Sequence, residues 1–568
     1  MQAALADDNV RVESEPAPGS RLPAVHRLRA HALLGGILLV GLTLRVAWMV
    51  TQVSVISSDG GEYATMAEHL LHQHALVGTY EGPEIIYGPL YPILIAGVMT
   101  VIPNSETAAH VVSLVSGTVL IAIVFLLAQT VYGRRTAYIA ASLVAVHPLL
   151  IALSASVYNE ALYATVWIAV VYWGIRSLEG RRLRDALFLG TCIGLAYLSR
   201  MEAVACLPLM AAALLMVGWR RKQARFAFAQ TAIMCIVFLA LASPYVAFLY
   251  RHTDRLRLEA KWDFNYTLCR NRLAGMSVIE ANYGIGPNMT IEGPLLGPFQ
   301  FADFTPYPHT LRERVGTLAA MARMNAQAVY HNLLQRQTGA PLLWAFLVIG
   351  WCRVAWTNKR LRDEMLLFGF AALVVAATLI ASSAETRYLF ALAPMLLVWT
   401  ANGFRELSRW IVRWELMARW PKVRRDRSVA ALQLGAMAMV VGISIGGVRG
   451  DWYFADEHGA VASAAREAGT WLAQHGSQSG RIAARGTVVP YYAKGTLIAF
   501  PYGDPDTTLR YLAHKQVDFI VLESAESALV PTIGEWMAHG IPDPHAQVVY
   551  DRTTSPGVRV VVYRWQHM

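Results

Sequence analysis

The sequence predicts a polytopic α-helical membrane protein with about 11 to 13 transmembrane helices and a small C-terminal α/β domain outside the membrane. Three observations predict it. Of 568 residues, 55% are hydrophobic and only 15% charged, too apolar a balance for an ordinary soluble enzyme. Apolar runs of bilayer-crossing length recur along the chain, and the basic residues gather in short clusters between them. After about residue 449 the pattern changes to a helical stretch, Gly459 to Gln474, and strand-like runs such as Val517–Leu522 and Val558–Tyr563.

Residues 1–31 are polar, with Pro16, Pro18, Pro23 and several Arg, and read as a disordered cytoplasmic tail. The run from Leu33 to Val53 is long enough to span and reads as an uncleaved first helix, not a signal peptide. Further runs cover 108–132, 137–153, 161–176, 185–199, 203–219, 226–250, 340–357, 365–383, 387–403 and 428–448. With 32–448 as the membrane module, Arg134-Arg135, Arg181-Arg182, Arg220-Arg221-Lys222, Lys359-Arg360 and the 422–427 cluster hold alternate loops on the cytoplasmic side. The other loops, chiefly 54–107 and 251–339, then lie outside with the domain 449–568. The short apolar segment Pro89–Pro103 reads as dipping into the membrane, or as one crossing of a pair, because a single full crossing would invert every later loop.

The net charge of +10 is spent on these topology clusters, and no basic groove with interleaved aromatics signals nucleic acid. Of five cysteines, Cys192, Cys206, Cys235 and Cys352 sit in apolar runs and Cys269 in a polar loop, with no CxxC pair. Neither a disulfide framework nor a zinc site follows.

The topology gathers Asp59, Glu62, Glu160, Arg200, Glu202, Glu385 and Arg387 on one external face, although acidic residues played no part in assigning it. Carboxylates at that position are interface anchors or chemistry. In Asp59-Gly-Gly-Glu62-Tyr63 the plain alternative is a capping box, Asp59 as N-cap with Glu62 three residues on. The chemical reading makes one of the two a base for a hydroxyl acceptor. Tyr87-Gly-Pro-Leu-Tyr91-Pro is an interfacial turn or an aromatic face for an isoprenoid or sugar ring. Glu160 opens a span, where the helix dipole alone would favour it. Arg387, next to Tyr388, either snorkels or grips phosphate with its planar fork.

The order of these motifs resembles the GT-C glycosyltransferases of the protein-mannosyltransferase and aminoarabinose-transferase type, over roughly residues 30 to 400. An Asp-led motif follows the first span, then a Pro-Leu-Tyr-Pro segment, Tyr132-Gly-Arg-Arg-Thr-Ala137, a Glu opening a later span, and Arg-Tyr-Leu…Pro. The resemblance implies inverting transfer of a sugar from a polyprenyl-phosphate donor to a lipid, protein or glycan acceptor on the external face. In a bacterium that is the periplasmic side of the inner membrane. Carried over, Asp59 is the base, with Glu62 as the second candidate because Gly60 stands where many members have an acid. Arg387 holds the lipid phosphate, with Arg200 as a second cation. Tyr63, Tyr87, Tyr91, Glu160, Glu202, Glu385 and Tyr388 are candidates for the substrate groove. No cofactor is implied, and no ligand cluster demands a divalent metal, though the chemistry is compatible with one.

Three other readings compete. A flippase or transporter of lipid-linked sugars would place charges near mid-membrane and interrupt its helices. A polymerase or ligase would use the 251–339 loop, with Arg251, Arg255, Arg257, Lys261 and Trp262. A non-catalytic scaffold would need none of these charges.

Overall fold

The computed structural model describes residues 24–566 except 54, 181, 287–288, 290–309, 335–339, 353–355, 382–383, 413–421, 450–458 and 476–479. Residues 1–23 of the expected tail, and much of the second half of the 251–339 loop, lie outside the described residues. Residues 24–31 belong to the first helix.

That helix, α1 (Ala24–Gln52), leads through a short linker to α2 (Ser58–Gln73) and the ten-residue α3 (Leu90–Met99). At 1.5 Å per residue, α3 is about 15 Å long, half of a hydrocarbon core of about 30 Å. It does not cross. Asn104 then caps α4 (Ser105–Tyr132), its side-chain oxygen accepting the Thr107 N–H at 2.8 Å.

Next come α5 (Arg134–Val146) and α6 (Pro148–Ala155), bent by 56° at His147. Pro148 has no N–H to extend α5 and starts a new helix instead. The carbonyls this leaves at the end of α5 are met by Arg45 of α1, which is fully buried. Its guanidinium donates to Ala145 O at 3.2 Å, Val144 O at 3.3 Å and, within its own helix, Gly41 O at 2.9 Å. A buried arginine whose two terminal nitrogens donate to backbone carbonyls thus closes a break in apolar surroundings.

The bundle continues with α7 (Glu160–Glu179), α8 (Leu183–Ser199), a 3₁₀ turn at Met201–Ala205, α9 (Cys206–Arg220) and α10 (Ala224–Thr253). After α11 (Lys261–Leu273), α12 (Val278–Tyr283) and α13 (Leu311–Leu333) come α14 (Ala340–Cys352) and α15 (Asn358–Leu379). A 3₁₀ turn at Thr386–Leu392 opens α16 (Ala393–Val412), and α17 (Lys422–Arg449) follows.

Among the described residues, five helical segments are long and apolar enough to cross a membrane. They are 31–52, 105–132, 160–179, 201–220 and 224–253, with the bent pair α5–α6 as a sixth. The other expected runs fall on helices that are shorter, such as α8 (17 residues) and α14 (13 residues). Others carry a charged first half, like α15 and α17, or are entered through a 3₁₀ turn, like α16. Length and composition alone therefore support fewer spans than the 11 to 13 expected.

The C-terminal unit is the small α/β domain foreseen. It comprises α18 (Ala460–His475), β1 (Arg481–Ala484), α19 (Val488–Ala493), β2 (Thr496–Ala499), α20 (Pro505–His514), β3 (Phe519–Glu523), α21 (Pro531–His539), β4 (Ala546–Ser555) and β5 (Val558–Trp565). The strand order is β2-β1-β3-β5-β4, with β1 parallel to both neighbours and β5 antiparallel to β3 and β4. Alternation along β3 sends Ile520 and Leu522 into one core and Phe519 and Val521 into the other, so both faces are covered.

This domain docks on the loop region between α1 and α4. Lys494 pairs with Glu68 at 2.8 Å, the Tyr491 hydroxyl meets Ser105 Oγ at 3.0 Å, and Arg481 pairs with Glu81. The Leu497 N–H donates to Thr79 O at 2.8 Å.

Candidate active site

Asp59 owes its position to the cap of α2. The capping-box reading is corrected by the structure: Ser57, not Asp59, is the N-cap, and its Oγ accepts the Gly60 N–H at 3.0 Å. The same hydroxyl donates to Val157 O at 3.0 Å, fixing the helix start against the α6–α7 connection. Asp59 therefore sits inside the first turn with its carboxylate free to face a cavity. There Oδ1 accepts from the Tyr87 hydroxyl at 3.2 Å, and Oδ2 pairs with Arg387, 328 residues away.

Arg387 lies on the 3₁₀ turn before α16. Its Nε is 2.6 Å from Glu385 Oε2. The segment leading to this turn is held by α13: Asn325 Nδ2 donates to Leu379 O and Ala381 O at 3.0 and 2.7 Å, and Asn332 Nδ2 to Ala384 O at 2.8 Å.

Arg200 comes from the end of α8. Asn159 and Ser199 exchange two hydrogen bonds, Nδ2 to backbone O at 2.7 Å and Ser199 Oγ to Oδ1 at 2.8 Å. This clasp sets Glu160 beside Arg200, at 3.8 Å, while Glu202 takes the guanidinium Nε at 2.7 Å. Three cations converge on the Tyr388 ring: Arg200 at 5.2 Å, Arg387 at 5.5 Å and Lys261 Nζ at 6.0 Å from its centre.

These groups line a cavity of about 210 Å³ together with Tyr63, Tyr87 and Asn282. A second cavity of about 300 Å³ shares Arg200, Met201, Glu202, Lys261 and Tyr388 with it. The second is walled mostly by apolar residues of α15 and the residues just after it, among them Leu373, Val374 and Ile380, and by Val204 and Trp262. Lys261 thus stands where a polar chamber meets an apolar one. The sequence drew attention to it only as one basic residue of a long loop; its place at the start of a helix, behind Glu259, is a tertiary fact.

Two residues named from the sequence lie elsewhere. Glu62 points away from the cavity and is 1% exposed, with Oε2 accepting the Thr79 N–H at 2.9 Å. Gly78 makes room for it, since a Cβ there would overlap its carboxylate. Tyr91 is wholly buried, with its hydroxyl on Ala109 O and Ser113 Oγ at 3.2 and 2.7 Å, and it supports Tyr63 edge-on from 5.1 Å.

The electrostatics separate the two acids of the motif. Burial pushes the Asp59 carboxyl up, but Arg387, Tyr87 and Lys261 outweigh it and hold the carboxyl below its ordinary value. For Glu62, burial and the neighbouring carboxyl of Glu84 both act against charge and push it up to about 8. Glu84 is also raised by burial, although it accepts the Ile86 and Tyr87 N–H groups at 2.6 and 2.9 Å. Burial lowers the Lys261 ammonium.

The chain superposes along most of its length on ArnT from Cupriavidus metallidurans bound to undecaprenyl phosphate. The TM-score is 0.55 at 12% identity, covering 95% of this chain and 98% of that one. The archaeal oligosaccharyltransferase AglB from Archaeoglobus fulgidus, in complex with an inhibitory peptide and a dolichol-phosphate, gives 0.58 at 14% identity, with 95% and 74% covered. Residues 86–248 match the family model of dolichyl-phosphate-mannose-protein mannosyltransferases.

The chain has the GT-C glycosyltransferase fold.

No curated protein matches the chain in sequence. The GT-C likeness read from motif order is thus met twice, by the fold along nearly the full chain and by the family pattern from just before α3 to near the end of α10. The expected GT-C membrane fold agrees with both.

Proposed function

We propose that this GT-C protein transfers a sugar from a polyprenyl-phosphate donor to a hydroxyl or amine acceptor, with inversion, at the external face of a bacterial inner membrane. The observation that carries the reading is the meeting of Asp59 and Arg387 at a polar cavity that adjoins an apolar one. A phosphate-linked sugar brings its own leaving group, so the protein must supply a base, cations and positioning.

The apolar cavity along α15 suits the isoprenoid chain. The phosphate then lies by Lys261, Arg200 and Arg387, at the junction of the two cavities. Arg387 gives up part of its hold on Asp59 as the phosphate arrives. Asp59, still partly buried, thereby becomes a stronger base in the loaded site than in the empty one. It takes the proton of the acceptor, whose oxygen or nitrogen attacks the anomeric carbon from the face opposite the phosphate. The C–O bond to phosphate breaks, and its electron pair leaves with the phosphate, which the cations retain. Tyr87 steers the Asp59 carboxylate, and Tyr63 offers a ring face to the sugar.

The test is transfer by the purified protein in detergent with a panel of radiolabelled polyprenyl-phosphate sugars, comparing wild type with Arg387→Ala. Release of sugar from one donor, lost in the variant, supports the reading. Movement of intact lipid-linked sugar across vesicles with no transfer would replace it by the transporter.

A further inference from the structure

The C-terminal domain reaches the first turn of α2. The loop after β1 carries Thr487, which is 3% exposed and grips Ser58, the residue beside Asp59. Its N–H donates to Ser58 Oγ at 3.4 Å, and its own hydroxyl donates to the Ser58 carbonyl. On the other side, Ser57 is tied to Val157 O at 3.0 Å. The turn bearing Asp59 is therefore held between two separate parts of the chain. The surface of α2 is shaped to receive Thr487: a Cβ on Gly61 would stand 2.8 Å from Thr487 Oγ1.

The same edge of the domain steadies a second wall of the cavity. Arg485 stacks 3.6 Å from the Tyr283 ring centre, and the Tyr502 N–H donates to Tyr283 O at 2.7 Å, next to Asn282 in the cavity lining. These contacts come from the carboxyl ends of β1 and β2, where the connecting loops of a parallel sheet gather.

We propose that Thr487 is a positioning residue for transfer: through Ser58 it sets the direction of the Asp59 carboxylate toward the acceptor. This rests on Asp59 being the base. Docking alone does not account for the contact, because docking has its own ion pair at the far end of α19, Lys494 with Glu68. A displacement of about 1 Å at a reacting group can cost about a hundredfold in rate. One residue before the cap, the Ile56 N–H donates to the Tyr492 hydroxyl of the domain at 3.3 Å, so Thr487 is the domain's contact to Ser58 itself.

The test uses the full-length protein in detergent with its working donor and acceptor. Thr487→Val is expected to lower kcat about 10- to 100-fold while both KM values stay near wild type. Thr487→Ser, which keeps the hydroxyl, restores kcat. Lys494→Ala, which weakens docking only, leaves it unchanged. Amide exchange of residues 58–62 rises in Thr487→Val and stays put in Lys494→Ala. Should Thr487→Val fail to fold, Gly61→Ala forces the same separation and is expected to give the same loss of kcat.

Wild-type kcat in Thr487→Val, equal losses in Thr487→Val and Lys494→Ala, or no recovery with Thr487→Ser would each overturn the proposal. If the wild type transfers no sugar at all, the functional reading falls by itself. The exchange data then decide the clasp, with unchanged exchange in Thr487→Val refuting it.

Discussion

Replacing Asp59 by Asn separates chemistry from architecture at this site. The amide keeps an oxygen for the Tyr87 hydroxyl, and Arg387 retains Glu385 at 2.6 Å. The carboxylate is 25% exposed, so screening limits what its ion pair adds, and the folding loss should be about 1 kcal/mol. What disappears entirely is the ability to take a proton. General base catalysis contributes about 10²- to 10⁴-fold, which at 1.36 kcal/mol per tenfold is about 3 to 5 kcal/mol of barrier. The loss in kcat should therefore far exceed any loss attributable to unfolding.

Glu62→Gln is the internal contrast. Glu62 lies outside the cavity with its carboxyl pushed up to about 8, so it is mostly neutral at pH 7 and Gln imitates that form. The assay is initial-rate transfer at saturating donor, with thermal melts on the same samples. Asp59→Asn at near wild-type turnover, or a Glu62→Gln enzyme that is dead while Asp59→Asn works, would refute the assignment of the base.

Glu62 also makes a stability prediction. Its folded value lies above the ordinary 4.5, so between pH about 4.5 and 8 the folded state keeps a proton that the unfolded chain releases. Wild-type stability should fall as pH rises through that window, and melts of Glu62→Gln should show a shallower decline. Arg387→Gln removes what holds Asp59 down and leaves the burial that raises it, so the acid limb of the kcat/KM profile, which reports the empty site, should move to higher pH. An unmoved limb would separate Arg387 from the base. Lys261→Met should raise the donor KM about 10- to 100-fold by removing a charged phosphate contact, and an unchanged KM would take Lys261 out of donor binding. Gly88→Ala would put a Cβ 2.4 Å from Ser199 O and 2.5 Å from Leu198 O, both backbone. It should cost about 1–3 kcal/mol, read as a lower melting temperature, with turnover reduced by displacement of the neighbouring Arg200.

The sequence by itself determined the membrane class, the C-terminal α/β unit and the resemblance to GT-C enzymes. These rest on local quantities: the length of apolar runs, the spacing of basic clusters and the order of short motifs. It also named Asp59, Glu160, Arg200, Glu202, Glu385 and Arg387, which the fold brings to one cavity, because polar groups next to apolar runs are conspicuous without knowledge of contacts. Only the tertiary structure separated Asp59 from Glu62. Three residues apart on one helix, they differ because α2 is capped by Ser57 and so turns one toward the cavity and the other toward Thr79 and Glu84. For the same reason Lys261 stood out only as one basic residue of a long loop, and Thr487 not at all. Their significance depends on where distant segments meet, Lys261 at the junction of two cavities and Thr487 on the turn that carries Asp59, and no local pattern encodes a contact between residues 58 and 487.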